Sequence, residues 1–291
     1  MVNKLSDLYL SARKALMQTE DSQTASLMAR NLLSHITGMS QEQILAQRDE
    51  LVDEKVCRAM ERAVERLLDG EPIAYVLGEW DFYGMRLVVD SNVLIPRDDT
   101  CAVTALAIKK ALFLGQDPRV LDLCTGSGCI GLAIAQRVKD ARVTLADISK
   151  DALAVAKANI TQQKLTGRVS CMQVDAMADP DPFLGKFDMI VSNPPYITID
   201  EMAELPHSVK DFEPHLALYG GEDGLSFYRS IADKFRKALK LGGYLCFEFG
   251  MGQGDDVCAI LEENGFTILE RTLDFNNIER AVLAQYNRKE C

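Results

Sequence analysis

The sequence lacks the long apolar runs that membrane proteins need. None of its 291 residues lie in an apolar stretch long enough to span a bilayer, and the start, MVNKLSDLYLSARK, lacks the apolar core of a signal peptide. We therefore expect a cytoplasmic protein that does not enter the membrane. Positive charge is also scarce, since 32 Lys and Arg face 43 Asp and Glu and leave a net charge of −11. A general nucleic-acid binder needs a basic surface, so no direct nucleic-acid binding is expected.

Metal-ligating patterns are missing as well. The sequence has only three histidines, and no two of its eight cysteines are spaced as CxxC. Structural zinc sites depend on such spacings, so we expect no metal and predict reduced, mostly buried thiols. The remaining composition is ordinary for a globular protein, with 47% hydrophobic and 26% charged residues over a length that suits one large or two smaller domains.

Helical periodicity dominates residues 1–70. Apolar residues recur there mostly at spacings of three or four, which predicts three amphipathic helices and hence a small helical bundle as a separate domain. The apolar stripes are Leu5, Leu8, Ala12 and Leu16; Leu27, Leu32, Leu33 and Ile36; and Val56, Met60, Val64 and Leu67. Two interpretations stay open: a packed domain without a further role, or a substrate-docking domain for a macromolecule.

The segment 71–97 is predicted to be a linker, because EWDFYGMRLVVD (79–90) places aromatic and β-branched residues around a glycine, as in a β-hairpin. Over residues 98–291, strand and helix patterns alternate, with helices at 151–163 and 225–240. This alternation predicts an α/β fold with a seven-stranded, doubly wound, mostly parallel sheet. The last two strands have no helix between them and should pair antiparallel. The predicted strands are Arg119–Leu123, Arg142–Ala146, Val169–Val174, Phe187–Ser192, Tyr244–Phe249, Phe266–Arg271 and Ala281–Tyr286.

A glycine loop follows the first of these strands in VLDLCTGSGCIG (120–131). Gly126, Gly128 and Gly131 match the pattern GxGxxG, in which glycines allow tight turning and close approach of a ligand to a helix N-terminus. Dinucleotide dehydrogenases share this pattern, so the match alone is weak. Asp147, at the end of the next strand, can bind the two hydroxyls of a ribose in either kind of protein.

Two further acids favour a different cofactor. Asp122 lies inside the end of the first strand, where dinucleotide fingerprints carry small or apolar residues, and VLDLxxGxG resembles motif I of S-adenosylmethionine-dependent methyltransferases. Asp175 follows the third strand, where that superfamily places an acceptor for the adenine amino group. The strand count and the antiparallel final pair also resemble that superfamily, the Rossmann-like class I methyltransferases.

The segment Asn193-Pro194-Pro195-Tyr196 directly follows the apolar run FDMIVS, which predicts a buried strand. Because two consecutive prolines have no N–H, the loop offers acceptors and no donors there. The Asn193 side-chain oxygen and the Pro194 carbonyl can accept both hydrogens of a planar NH2 group, and the Tyr196 ring can stack on it. Such a clamp suits an amide or an amino-substituted base, not an alkylammonium. Since it can orient a weak nucleophile for methyl transfer, Asn193, Pro194 and Tyr196 are the candidate catalytic residues.

Together these motifs resemble one family, the release-factor glutamine N5-methyltransferases of the HemK/PrmC type. The resemblance runs from about residue 70 to the end. It is carried by EPIAYVLGEWDFYG (71–84), VLIPRDDT (93–100), VLDLCTGSGCIGLAIA (120–135), ADIS (146–149), SNPPY (192–196) and EPHLALYGGEDGL (213–225). Members of this family have an N-terminal helical bundle, which fits residues 1–70.

The resemblance implies methyl transfer from S-adenosylmethionine to the glutamine of the Gly-Gly-Gln motif in class 1 peptide chain release factors. It also implies which residues form the site. The expected cofactor-binding residues are Cys124, Thr125, Gly126, Ser127, Gly128, Asp147, Asp175, Ala176 and Asn193. The expected glutamine-binding residues are Asn193, Pro194, Pro195 and Tyr196. We expect a monomer.

Several positions depart from the family's pattern. Cys124 stands where glycine is common, so its side chain is strained if the backbone there needs a positive φ. Asp98 and Cys101 stand where the family commonly has proline and glutamate, which puts any role of that glutamate in doubt. Ala176 replaces an aromatic residue of some relatives, so looser adenine packing is expected.

Other interpretations stay open. A DNA or RNA adenine N6-methyltransferase would use the same clamp on an exocyclic amino group, although it would need a basic face. A ribosomal protein is a second candidate substrate, but the linker signature favours release factors. A non-catalytic protein that binds release factors or ribosomes would follow if Cys124 or Cys101 had cost the chain its cofactor. A dehydrogenase would leave the Asn193–Tyr196 loop unexplained.

Overall fold

A computed structural model describes residues 4–287, and its backbone contacts divide the chain into two units. The helical unit comprises the residues up to Gly78 together with His207–Phe212. The sheet unit comprises Glu79–Pro206 and the residues from Glu213 onward. The division therefore falls after Gly78, inside the segment 71–97 that the sequence predicts as a linker.

Helices make up the helical unit, and capping groups set their ends. Over the described residues they are α1 (Leu5–Leu16), α2 (Ser22–Thr37), α3 (Gln41–Ala46), α4 (Glu54–Leu68), α5 (Ile73–Leu77) and α10 (His207–Lys210). The Asp21 carboxylate accepts from the amides of Gln23 and Thr24 at the start of α2, and Gly38 ends that helix with a φ of 68°. α3, α5 and α10 were not predicted, because helices this short show too little periodicity.

The α1 stripe is buried as predicted, but the predicted stripe of α2 is partly wrong. Leu27 is 51% exposed, and Ala25 and Ala29 occupy the buried positions beside Leu32 and Leu33. Small alanines let α2 approach its neighbours closely. The prediction chose Leu27 because leucine is more hydrophobic than alanine, whereas the packing buries Ala25 and Ala29.

The sheet unit begins with the predicted hairpin, β1 (Glu79–Phe82) and β2 (Met85–Val88), which pair antiparallel. A seven-stranded sheet follows in the order β5-β4-β3-β6-β7-β9-β8. Its strands are β3 (Arg119–Leu123), β4 (Arg142–Asp147), β5 (Val169–Gln173), β6 (Phe187–Ser192), β7 (Leu239–Glu248), β8 (Phe266–Leu273) and β9 (Glu279–Tyr286). The strands β3 to β7 are parallel, whereas β9 is antiparallel to β7 and β8. The predicted fold class is confirmed.

Helices cover both faces of this sheet. They are α6 (Thr100–Ala111), α7 (Cys129–Arg137), α8 (Lys150–Gln162), α11 (Ser226–Lys234) and α12 (Gly254–Glu263), whereas the short α9 (Ile199–Glu204) has no buried residue. The predicted helix 225–240 is too long, because a 3-10 turn follows α11 and β7 begins at Leu239. No helix in the described part of the chain is long and apolar enough to cross a bilayer.

Alternate residues of β3 enter two separate cores, as a doubly wound sheet requires. Val120 packs with α6 and α7, whereas Leu121 and Leu123 pack with α11 and α12. The chain runs outward through β4 and β5 and then returns to place β6 beside β3. The strand order reverses between β3 and β6, so their carboxyl ends border the crevice where such sheets bind ligands.

A buried asparagine joins the hairpin to the glycine loop. Asn159 of α8 is fully buried, and its side-chain oxygen accepts from the Val88 amide at 2.6 Å. Its Nδ2 donates to the carbonyls of Val88 and Ser127, both at 2.9 Å. Asn159 thereby uses both of its N–H donors and one lone pair of its oxygen to join the end of β2 to the glycine loop.

Candidate active site

The glycine loop is fastened by a buried carboxylate. Asp122 Oδ2 accepts from the Thr125 hydroxyl at 2.6 Å and from the Gly131 amide at 2.8 Å, so one oxygen holds both ends of the loop. Asp122 Oδ1 has no partner among the described residues, and burial raises the pKa of this carboxyl to about 7. A Cβ at Gly131 would lie 2.3 Å from Leu145 Cδ2, which is why α7 can approach the sheet only with glycine there.

Cys124 begins this loop in a backbone conformation that favours glycine. Its φ is 60°, so the strain expected for a side chain at this position is present. Burial raises the pKa of its thiol, and a hydrogen bond with Ser192 opposes that rise only in part. The thiol is therefore neutral and lies in the wall of the crevice, which makes it a packing group and not a nucleophile.

Asp147 lies at the end of β4 with both oxygens facing the glycine loop and the following turn. Oδ2 accepts from the Gly126 amide and Oδ1 from the Ser149 amide, each at 2.9 Å. Burial is the largest influence and raises the pKa of Asp147, while these amides oppose that rise. Each oxygen keeps a free lone pair, so the carboxylate can still accept from two ribose hydroxyls.

Asp175 follows β5 and is exposed, with Oδ1 accepting from the Met177 amide at 2.7 Å. Its neighbour Ala176 is 4% exposed, and its carbonyl accepts from the Ser230 hydroxyl at 2.8 Å. Ile148 and Met177 also border the crevice and keep 43% and 40% of their surface exposed. These two apolar side chains supply packing surface that the sequence analysis missed.

A single cavity of about 380 Å³ brings most of the predicted residues together. The predicted residues in its wall are Cys124, Thr125, Gly126, Ser127, Asp147, Asp175, Ala176, Asn193 and Pro195. Gly128, Pro194 and Tyr196 do not line it. Among the described residues its wall contains two carboxylates and no Lys, Arg or His. A volume in this range is typical of small-molecule sites, and the charge suits a cationic ligand better than a pyrophosphate.

Two further segments line the cavity without having been assigned a role. One runs up to the first residue of α6 and contributes Ser91, Asn92, Val93, Leu94, Pro96 and Thr100; the other contributes Pro214, Leu216 and Ala217. The buried Glu213 accepts from the Ile95 amide at 3.3 Å and pairs with Arg97, which ties the two segments together. Most of these residues belong to two motifs that carry the family resemblance, VLIPRDDT and EPHLALYGG. Those motifs were the feature of the sequence from which a role in the site could have been predicted.

The loop Asn193–Tyr196 leaves β6 and is held by its surroundings. Gln253 Nε2 donates to the Tyr196 carbonyl at 3.3 Å, while its Oε1 accepts from the Gly250 amide at 2.9 Å. A Cβ at Gly220 would lie 2.5 Å from Tyr196 Cα, so only glycine allows that segment to pack on the loop. The prolines are buried and Tyr196 is half-buried, with burial raising the pKa of its hydroxyl. The loop is thus a rigid row of acceptors.

Side chains that bind metal ions do not cluster in the described residues. Within 4–287, no group of three or more His, Cys, Asp or Glu side chains is arranged to hold a metal ion. No disulfide joins the seven cysteines in this range, of which three are buried and four half-buried. Cys291 lies outside the described residues.

Family patterns match both units of the chain. The pattern described as "PrmC N-terminal domain" matches residues 7–78, and "Methyltransferase small domain" matches residues 99–207. A methyltransferase of known structure from Pyrococcus furiosus has a similar fold, with a TM-score of 0.51 at 15% identity over 78% of this chain and 100% of that one. The fold and the crevice are those of a class I, S-adenosylmethionine-dependent methyltransferase.

Two relatives are similar along nearly their whole length. The release factor glutamine methyltransferase of Clostridium acetobutylicum is 37% identical over 287 residues, which cover 97% of this chain and 98% of the relative. That of Chlorobaculum tepidum is 37% identical over 262 residues, or 88% of each chain. The chain belongs to the release factor glutamine methyltransferase family.

The residues in the crevice fit S-adenosylmethionine. Asp147 would hold the ribose hydroxyls, and Asp175 with Ile148 and Met177 would receive the adenine. The acidic wall without a basic side chain suits a molecule that carries a sulfonium and an ammonium group. The dehydrogenase interpretation is excluded by the relatives, which are methyltransferases along nearly their whole length.

Cys124 provides the first testable prediction. Cys124→Gly should leave the free energy of unfolding within about 1 kcal/mol of the parent, because glycine adopts the φ of 60° freely but loses more chain entropy on folding. Cys124→Val should lose about 2 kcal/mol or more, because a β-branched side chain tolerates this backbone poorly. Urea unfolding of the two variants checks this, and equal losses in both would contradict it.

Asp147 provides the second testable prediction. Asp147→Ala should weaken S-adenosylmethionine binding by roughly 1–3 kcal/mol, because it leaves ribose hydroxyls without an acceptor. Isothermal titration calorimetry measures the dissociation constant directly. Asp151→Ala, an exposed residue on α8 outside the crevice, is the matched control and should bind like the parent. An unchanged dissociation constant for Asp147→Ala would refute the assignment.

Proposed function

We propose that this protein transfers a methyl group from S-adenosylmethionine to the side-chain amide nitrogen of the glutamine in the Gly-Gly-Gln motif of class 1 peptide chain release factors. The observation that carries the proposal is the position of Asn193. It stands in the wall of the cofactor crevice and opens a rigid loop that has two prolines and therefore acceptors without donors. A primary amide placed against this loop would meet the Asn193 side chain at the crevice wall and the carbonyl of the adjoining Pro194, which itself does not line the crevice.

The loop compensates for the weakness of an amide as a nucleophile. When bound, S-adenosylmethionine supplies a methyl carbon that takes the nitrogen lone pair while the C–S bond breaks and its electron pair stays on sulfur. Asn193 Oδ1 and the Pro194 carbonyl would accept the two N–H hydrogens and so aim the out-of-plane lone pair at that carbon. They also favour the positive charge that develops on nitrogen, and one N–H proton then leaves to solvent.

The finer points of the proposal follow from this substrate. Release factors act on the ribosome, so we place the protein in the cytoplasm, and we propose that it works there as a monomer. Residues 1–70 are proposed as the domain that docks the release factor, since the crevice itself is too small to hold more than the cofactor and one side chain. The net charge of −11 supports a protein substrate over nucleic acid.

Labelled S-adenosylmethionine tests the substrate directly. A class 1 release factor, its Gln→Ala variant in the Gly-Gly-Gln motif, and adenine-containing DNA and RNA are offered in parallel. We expect label in the intact release factor alone. Label in nucleic acid alone would establish the adenine N6-methyltransferase interpretation. No label in any substrate, together with no binding of S-adenosylmethionine, would favour the non-catalytic one.

Asn193 provides the matching variant. Asn193→Ala should lower the turnover number by about 10²-fold or more, because the amide loses an oriented acceptor. Cofactor affinity should change by less than about threefold, since Asp147 and the glycine loop supply most of that binding. Asn276→Ala, an exposed asparagine in the turn between β8 and β9, serves as the control. Full activity of Asn193→Ala would remove Asn193 from the proposed clamp.

A further inference from the structure

A buried glutamate stands next to the clamp and has no role in the function proposed above. Glu248 is the last residue of β7 and is 1% exposed. In the parallel pairing of β6 with β7, Ser192 lies opposite Phe247. Glu248 therefore follows at the same level of the sheet edge as Asn193. A buried carboxyl group weakens a fold unless it is well paired, which suggests that this one serves the site.

The side chains around Glu248 connect it to Asn193. The Thr100 hydroxyl and the Asn193 amide both lie close enough to its carboxyl group to lower its pKa and so favour its ionised form. Asn193 Nδ2 also lies 3.4 Å from the Thr100 hydroxyl oxygen, at the start of α6. A carboxylate only accepts, so it draws the NH2 end of Asn193 towards itself. The other end, Oδ1, then remains available to the crevice that Asn193 lines.

The arginine that acts on Glu248 forms its ion pairs with other acidic residues. The positive charge of Arg280 lowers the pKa of Glu248, but Arg280 pairs with Asp99 at 3.0 Å and with Asp274 at 3.2 Å. Glu248 Oε2 has no hydrogen-bond partner among the described residues. The titratable and charged groups that face Glu248 are Asp99, Cys101, Cys129, Tyr196, Tyr228 and Arg280.

We propose that Glu248 is a positioning residue that turns the Asn193 amide so that its oxygen faces the substrate amide, and that its ionised form favours the positive charge developing on the substrate nitrogen. The proposal rests on the function proposed above. Through Asn193, a carboxylate makes the amide oxygen a stronger acceptor, because hydrogen bonds in a chain polarise one another. Glu248 takes up no proton in this scheme.

Burial gives the proposal a pH dependence. It raises the pKa of Glu248 to about 8, so the group is mostly neutral at pH 7 and ionised above pH 8. The rate of methyl transfer should therefore rise as the pH passes through about 8. The free energy of unfolding should fall as the pH rises. The burial penalty is absent below the ordinary pKa of 4.5, grows as the pH rises and is complete above about 8.

Glu248→Gln separates a positioning role from a structural one. It keeps the shape and an acceptor oxygen but removes the charge. We expect single-turnover methyl transfer at pH 9 to fall by about 10-fold, with the step near pH 8 gone. The affinity for S-adenosylmethionine should stay within about twofold, and the melting temperature at pH 9 should equal or exceed that of the parent. Glu263→Gln, exposed on α12, is the control.

Two outcomes would overturn the proposal in this assay. A rate and pH profile like those of the parent would show that Glu248 does not act on Asn193. Weakened cofactor binding with an unchanged maximal rate would assign Glu248 to the cofactor site instead.

A second readout needs no methyl acceptor. In protein labelled with 15N-asparagine, the Asn193 side-chain NH2 signal, assigned with Asn193→Ala, should titrate near pH 8 in the parent and not in Glu248→Gln. An Asn193 signal that ignores pH in the parent would overturn the proposal, whichever substrate is methylated. A failure of the parent to methylate release factors would instead overturn the proposed function and leave this result to decide the role of Glu248.

Discussion

The parallel pairing of β3 with β6 is the constraint on which the site depends. Its last pair sets Leu123 opposite Ser192, and the Ser192 hydroxyl donates to the Leu123 carbonyl at 2.6 Å. The glycine loop starts at the next residue of one strand and the Asn193 loop at the next residue of the other. The two loops therefore begin side by side at the point where the strand order reverses, and a cofactor and an amide bound there must meet.

Buried carboxyl groups then organise this edge of the sheet. Asp122 near the end of β3 and Asp147 at the end of β4 accept hydrogen bonds from the glycine loop. Glu248 at the end of β7 lies beside the Asn193 and Thr100 side chains. Burial raises the pKa of each of them, so each weakens the fold to some degree. Acceptors that are fixed before the ligand arrives need no reorganisation during the reaction, which is the usual reason for tolerating such groups at an active site.

The local pattern of the sequence predicted much of this architecture. The strands β3 and β6 begin and end where predicted, because short β-branched and apolar runs bounded by turns leave little freedom. The helix predicted at 225–240 was too long, since the apolar pattern of α11 continues into a strand. Leu27 was assigned to the core, yet alanines occupy it. In both cases packing against distant residues decided between states that local hydrophobicity could not separate.

Short sequence motifs predicted part of the site, but they did not predict the residues that complete its wall. The glycines, the acids at strand ends and the two prolines predict a cofactor loop and an acceptor loop by themselves, because their backbone and hydrogen-bonding properties are local. Residues 91–100 and 214–217, which complete the wall of the crevice, are far apart in the chain. So are Asn193 and Glu248, which lie 55 positions apart and come together at one edge of the sheet. Only the tertiary structure brings these together, because sheet order and helix packing, not sequence spacing, decide which side chains share the crevice.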